Sequence, residues 1–138
     1  MLFRSREIAD RLADKGKAVL VEHTERQALL TDCLTMCKNI GLSMDIMDFD
    51  FASQLLRAGT GLNFTSEKVD AALKGVINRD RKMNIDFGVA ADQDTLPKRF
   101  TSEPLEEGAS KGQVVPVERM VQEYYKIKGW DDKGVPRE

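Results

Sequence analysis

The stretch TDCLTMCK, residues 31–38, contains both cysteines of the chain, Cys33 and Cys37, together with the carboxylate of Asp32. In a continuous helix, a spacing of four residues places the two thiols on one face. Two thiolates do not complete a tetrahedral metal site, so a metal bound here needs further ligands from elsewhere. The residues alone leave two interpretations open: metal-binding thiols, or two small apolar side chains buried on a helix, as free cysteines often are.

On either side of this stretch, apolar residues recur at helical spacing and are interrupted by glycine, proline and acidic segments. This pattern predicts an all-α fold, an irregular helical domain of about five helices with long loops. Residues 1–138 are expected to form a single helical domain. The helices are predicted at Leu2–Ala13, Lys17–Lys38, Phe49–Ala58, Thr65–Lys82 and Pro116–Lys128.

Caps and inward faces follow from the same pattern. Gly41 and Gly129 are predicted helix ends, with Trp130 folding back after the second, and Gly59-Thr60-Gly61 is a predicted turn. The acids Asp45, Asp48 and Asp50 are interpreted as helix N-terminal acids, and His23 as a surface residue. The predicted inward residues are Val21, Ala28, Leu29, Leu34 and Met36, then Phe51, Leu55 and Leu56, then Val69, Ala72, Leu73, Val76 and Ile77, and then Val117, Met120, Val121, Tyr124 and Ile127.

Composition limits the classes of function. The chain has 138 residues, 41% of them hydrophobic and 32% charged, with a formal charge of −2. Such a balance is ordinary for a globular protein, and it lacks the basic footprint of a nucleic-acid-binding protein. No apolar run reaches the length of a membrane span, and the N-terminus does not have the pattern of a secretory signal. Two closely spaced cysteines indicate a reducing cytoplasm.

Five segments, in order, resemble the C-terminal part of the tungsten-containing aldehyde ferredoxin oxidoreductase family. DCLTMC within residues 31–38 resembles D-x-x-G-[LV]-C, with Thr35 in place of the family's glycine. LLRAGTG (residues 55–61) resembles L-x-x-A-x-T-G, and INRDRKMN (77–84) resembles I-x-N-x-x-R-x-F-N. DTLPKRF (94–100) resembles D-D-T-L-P-x-R-F, with Gln93 in place of the first aspartate. EYYKIKGWDDKGVP (123–136) resembles E-Y-Y-x-x-R-G-W-D-x-x-G-x-P, with lysine for arginine. Together they cover nearly the whole chain.

The resemblance implies roles for individual residues of the first segment. Asp32 is expected to hydrogen-bond the pterin of a tungsten bis-pterin cofactor, and Cys37 to be the last of four ligands to a [4Fe-4S] cluster. Cys33 falls on a variable position and has no implied role. No residue is expected to be catalytic. The residues between the pterin contact and the cluster ligand are also assigned to cofactor binding: Leu34, Thr35 and Met36.

The resemblance also implies partners. Family enzymes are several times longer, and they carry an N-terminal cofactor-binding domain and a C-x-x-C-x-x-x-C segment that supplies three further cluster ligands. This chain is therefore expected to work with such an N-terminal portion or subunit, and to pass electrons to ferredoxin. Alone, it is expected to retain no cofactor and to be inactive, because a cubane cluster normally needs four cysteines. Self-association is expected if apolar surface is left uncovered.

Two other functions remain open. The first is a non-enzymatic remnant or assembly subunit with the family fold, which the Thr35 substitution and the missing cluster ligands favour. The second is a redox pair formed by Cys33 and Cys37. The redox pair is the weaker hypothesis, because the spacing is CxxxC rather than CxxC and no βαβ pattern surrounds it.

Overall fold

The computed structural model describes residues 10, 12–39, 41 and 46–137. These residues form five α-helices and one 3-10 turn, and their β-type pairings are two isolated bridges. The predicted all-α fold is confirmed. The helices are α1 Lys17–Cys33, α2 Phe49–Thr60, α3 Ser66–Asp86, α4 Lys98–Thr101 and α5 Val117–Lys128, with the 3-10 turn at Ala91–Gln93.

The chain divides into two compact units. One comprises Met1–Glu22 with Asn84–Glu138, and the other comprises His23–Met83. The assignment of residues 1–138 to a single domain stays a prediction.

In the unit His23–Met83, α1, α2 and α3 share one apolar core. Its buried members are Leu30, Met47, Ala52, Val69 and Leu73. Full burial of one such large aliphatic side chain stabilises the fold by about 1.5–3 kcal/mol. The core therefore includes the C-terminal half of α1. This part of the helix leads into residues 31–38, which we call the cysteine segment.

In the other unit, the end of α5 packs against the turn that follows it. Gly129 has a φ of 72°, and the backbone NH of Trp130 returns to the carbonyl of Tyr125 at 2.9 Å. The Trp130 ring is buried, 5.9 Å from the ring of Tyr125 and 5.7 Å from that of Tyr124. The predicted helix end and the folding back of Trp130 are both confirmed.

Several predicted helix ends are wrong. α1 stops at Cys33 and does not reach Lys38. α2 and α3 extend beyond their predicted ends to Thr60 and Asp86. Most of the predicted helix Leu2–Ala13 lies outside the described residues, and its described positions are not helical.

The inward faces are narrower than predicted. On α3, Val69, Leu73 and Ile77 are buried at a strict spacing of four residues, whereas Ala72 and Val76 are exposed. A helix packed on one side buries only one stripe of its surface, so the neighbouring apolar positions stay outside. The other predicted inward residues that are exposed are Val21, Phe51, Leu55 and Ile127, and the buried residues that the pattern missed include Leu30, Met47, Ala52, Ser53 and Tyr125.

The acids before α2 act as predicted. Asp48 is the N-cap residue, and its side chain accepts a hydrogen bond from the backbone NH of Phe51 at 2.7 Å. Asp50 lies in the first turn, where a negative charge is favoured by the helix dipole. Asp45 lies outside the described residues.

Among the described residues, no helix combines the length and the apolar character that crossing a bilayer requires.

Candidate functional site

The cysteine segment lies at the point where α1 ends. The backbone NH of Thr35 bonds to the carbonyl of Asp32 at 3.1 Å, and the NH of Met36 bonds to the carbonyl of Thr31 at 2.9 Å. This pair of hydrogen bonds is the Schellman motif, whose residue after the C-cap adopts a left-handed conformation. Thr35 occupies that position with a φ of 54°. Thr35 therefore adopts the backbone conformation for which a glycine is usually required.

The end of the helix separates the two thiols. Cys33 is the last residue of α1, and Cys37 lies beyond the left-handed turn in non-helical backbone. The predicted placement of both thiols on one helical face is therefore wrong. Both cysteines are free and exposed, so the interpretation as small buried apolar side chains is wrong as well. An exposed thiol outside regular structure is available to a metal centre held by another part of a protein.

Asp32 is also at the surface, next to a cation. Its carboxylate lies 3.0 Å from the ammonium of Lys38, and each of the two side chains is about half exposed. Sequence reasoning missed Lys38, although its place directly after Cys37 could have drawn attention to it. The segment thus presents a carboxylate, an ammonium and a thiol close together in the chain and all open to solvent.

The intervening apolar residues hold the segment to the core. Leu34 and Met36 are partly buried and pack against the core of the unit His23–Met83. Their side chains point inward, so a cofactor at the surface of this segment would meet their backbone. Of the five predicted site residues, three are therefore exposed (Asp32, Thr35 and Cys37), and two are anchors.

Gly41 supports the same segment in a way that the prediction did not foresee. The backbone at Lys38, Asn39 and Gly41 is helical, so Gly41 does not end the helix that precedes it, which contradicts its predicted role. Instead, a Cβ atom added at Gly41 would lie 2.5 Å from the Cγ2 atom of Thr31. Thr31 is fully buried, and its hydroxyl donates to the carbonyl of Ala28 at 2.7 Å. The absence of a side chain at Gly41 therefore lets the chain after the cysteine segment pass close to α1.

Metal binding by this chain alone is limited by its donors. Within the described part of the chain, no three His, Cys, Asp or Glu side chains come together as a metal site would require. A [4Fe-4S] cluster takes four thiolates, and Cys37 can supply one of them. A four-iron cluster bound through Cys37 would therefore need its other ligands from a different part of a protein.

The later motifs have structural roles. The Tyr125 hydroxyl donates a hydrogen bond to the carboxylate of Asp94, which joins the EYY segment to DTLPKRF. Lys128, at the position where the resemblance has arginine, has its ammonium 3.8 Å from the carboxylate of Glu22, and both side chains are buried. The Asp131 carboxylate accepts hydrogen bonds from the NH groups of Lys133 and Val135, each at 2.9 Å. These contacts stabilise the unit that contains them.

Sequence comparison matches the chain to a known family and to several of its members. The sequence model of the family described as aldehyde ferredoxin oxidoreductase, domains 2 & 3, matches residues 3–138. A tungsten-containing aldehyde ferredoxin oxidoreductase from Thermococcus kodakarensis is 32% identical over 129 residues, which make up 92% of this chain and 21% of that protein. Proteins of the same name from Pyrococcus furiosus and Pyrococcus horikoshii are 41% and 36% identical over 86 and 91 residues, which are 61% and 64% of this chain.

The chain is short relative to these proteins. It spans between 14% and 21% of the length of the three relatives. The family match, in contrast, extends over nearly every residue, including the cysteine segment. The chain therefore belongs to the aldehyde ferredoxin oxidoreductase family.

Proposed function

We propose that this chain supplies the C-terminal part of an aldehyde:ferredoxin oxidoreductase. In this role Cys37 is one ligand of a [4Fe-4S] cluster, and Asp32 accepts a hydrogen bond from the pterin of a tungsten bis-pterin cofactor. The single observation that supports the proposal best is the exposure of both side chains on one segment at the end of α1. A ligand shared with another part of an enzyme must be accessible before assembly.

The chemistry would come from the cofactor. When bound, the tungsten centre would oxidise an aldehyde to a carboxylate, and two electrons would leave one at a time through the cluster to ferredoxin. Within such an enzyme the protein contributes binding, orientation and tuning. For this chain those contributions are the thiolate of Cys37, the carboxylate of Asp32 and the rigid turn at Thr35 that separates them.

The turn at Thr35 would define the geometry of this contribution. Its two backbone hydrogen bonds fix the direction in which the chain leaves α1, and Leu34 and Met36 anchor it in the core. The thiolate and the carboxylate are thus presented from a turn that the chain's own hydrogen bonds and core packing define. Such preorganisation reduces the entropy lost when a group is bound.

The alternative is a non-enzymatic remnant or assembly subunit with the family fold. The small number of thiols in the chain, two in all, favours it. The replacement of glycine by Thr35 no longer does, because Thr35 adopts the left-handed conformation that a glycine would supply.

Replacing Cys37 by alanine in the complete enzyme, purified without oxygen, tests the proposal. We expect the iron content to fall well below the roughly four atoms of one cubane cluster. Cys33→Ala is the matched control, since Cys33 is an exposed thiol of the same segment with no proposed role. We expect that variant to keep its iron. Unchanged iron in Cys37→Ala would reject Cys37 as a ligand and favour the non-enzymatic alternative.

A further inference from the structure

Helix α2 has more apolar surface than its own unit buries. Its inner side contributes Ala52 and Leu56 to the core. A row of apolar residues beside it lies outside the core: three are on α2, at spacings of four and three residues, and a fourth follows just beyond the end of the helix. We call this row the outer stripe, and its members are Phe51, Leu55, Ala58 and Leu62.

The outer stripe is open to solvent. Phe51 and Leu55 are each 41% exposed, and Leu62 is 61% exposed. Soluble domains expose single apolar residues freely, but a row on one helical face indicates a contact surface. The apolar face of α2 is thus wider than the part that the core covers.

The outer stripe ends at an open cavity of about 610 Å³. It forms where α2 stops, because Gly61 turns the chain with a φ of 71°. The stripe and the cavity share two residues and form a continuous surface that could take up side chains of another protein layer. The cavity is lined by Gln54, Arg57, Ala58, Gly61, Leu62 and Asn63.

The family-like segment LLRAGTG lies on this surface. Two of its four matching residues have evident roles within the chain, because Gly61 caps α2 and the Thr60 hydroxyl accepts a hydrogen bond from the NH of Leu62 at 3.1 Å. The other two, Leu55 and Ala58, are exposed members of the outer stripe. Packing among the residues that the structure describes does not account for them.

We propose that the outer stripe is the docking surface for the part of the enzyme that this chain does not contain. This inference rests on the proposed function. The length of a relative indicates which protein part covers the outer stripe. The 129 matching residues of this chain make up only 21% of the relative from Thermococcus kodakarensis. An enzyme of that length has about four fifths of its chain available to cover this surface. Buried at an interface, the Phe51 and Leu55 side chains would act as apolar anchors.

The experiment compares one substitution in two contexts, the complete enzyme and this 138-residue chain alone. In the complete enzyme we expect Leu55→Asp to speed the proteolytic release of this part about tenfold or more, as for a charge placed in a buried interface. In the isolated chain we expect the same substitution to leave the unfolding temperature nearly unchanged, because Leu55 is already exposed there. Leu105→Asp is the matched control, since Leu105 is an exposed leucine outside the stripe.

Three outcomes would overturn the proposal. If the Leu55→Asp enzyme released this part no faster than the parent enzyme, nothing would cover the stripe in the enzyme. Equal rates of release of the Leu55→Asp and Leu105→Asp variants would show the same. A dimer of the isolated chain that Leu55→Asp abolishes, with no effect in the complete enzyme, would assign the stripe to a second copy. The proposed function is tested separately by iron content, so docking without iron would reject the function and keep the surface.

Discussion

Thr35 carries a conformational cost that a glycine would avoid. It is the one non-glycine residue with a positive φ in the part of the chain that the structure describes. A left-handed conformation costs an L-residue roughly 1–2 kcal/mol, through crowding of its Cβ atom. The surrounding structure compensates, since the helix-ending hydrogen bonds and the packing of Met36 both depend on this turn.

This strain leads to a prediction for Thr35→Gly. The substitution removes the Cβ atom while the unfolded chain gains entropy worth about 0.5–1 kcal/mol. We therefore expect a net rise of roughly 0.5–1 kcal/mol in the free energy of unfolding, measured by urea denaturation. Thr35→Ala is the control, because alanine keeps the Cβ atom and should bring little gain. A loss of stability in Thr35→Gly would contradict the assignment of strain to this residue.

At the scale of the elements, three helices end by the same device. After α3, Gly88 and Val89 bond back to Ile85 and Asn84, and after α5, Gly129 and Trp130 bond back to Lys126 and Tyr125. Both glycines have a positive φ. The end of α1 repeats this pattern with Thr35 in the glycine position. Glycine is the sequence signal for such a helix end. Because residue 35 is a threonine, the helix was predicted to continue to Lys38.

An ion-pair network joins two of the elements in the unit His23–Met83. The Asp70 carboxylate on α3 pairs with the guanidinium of Arg26 on α1 and lies 2.7 Å from the ammonium of Lys74. Partial burial acts to raise the pKa of Asp70, but the hydrogen bonds and charges of Lys74 and Arg26 outweigh it, and the pKa is lowered. Arg26 also lies over the ring of Phe49, 5.4 Å from its centroid.

We expect Asp70→Asn to lower the free energy of unfolding by about 1–2 kcal/mol at pH 7, because it removes charge-assisted hydrogen bonds. A carboxyl whose pKa is lowered by folding stabilises the protein above its unfolded pKa of about 3.9, and this contribution disappears as the pH falls through the folded value. The difference between Asp70→Asn and the parent should therefore shrink below about pH 4 in urea denaturation. Asp92→Asn is the control, because Asp92 is exposed. Its free energy of unfolding should equal that of the parent at both pH values. A gap that persisted unchanged in acid would rule out the ionised carboxylate as its cause.

At the scale of the whole molecule, the chain matches only a small part of the length of its relatives, and this limits what it is expected to do alone. It matches at most 21% of the length of the relatives compared, and its two exposed thiols are fewer than the four that a four-iron cluster takes. We expect the isolated chain to show no aldehyde-dependent reduction of a viologen dye under anaerobic conditions. The complete enzyme, assayed in parallel, is the positive control. Turnover by the isolated chain would contradict the proposed function.

Local sequence patterns predicted much of this fold. The helices α2, α3 and α5 were expected where they lie, because apolar spacing and caps such as Asp48 and Gly129 act within a few residues. The short helix α4 was missed, since four residues carry too little periodicity to be seen. The resemblance implied cofactor-binding roles for Asp32 and Cys37, but nothing in the sequence showed that both side chains would be exposed.

The sequence by itself determined the all-α class, the family and the order of the main helices, because these depend on local spacing and on motifs read along the chain. Only the tertiary structure decided that α1 ends at Cys33, that Thr35 is left-handed, and that Leu56 rather than Leu55 faces the core. For the last of these, the reason is that Leu55 and Leu56 both belong to the wide apolar face of α2, and local sequence does not decide which part of that face is covered. The choice is made by what packs against it, and that depends on residues distant in the chain.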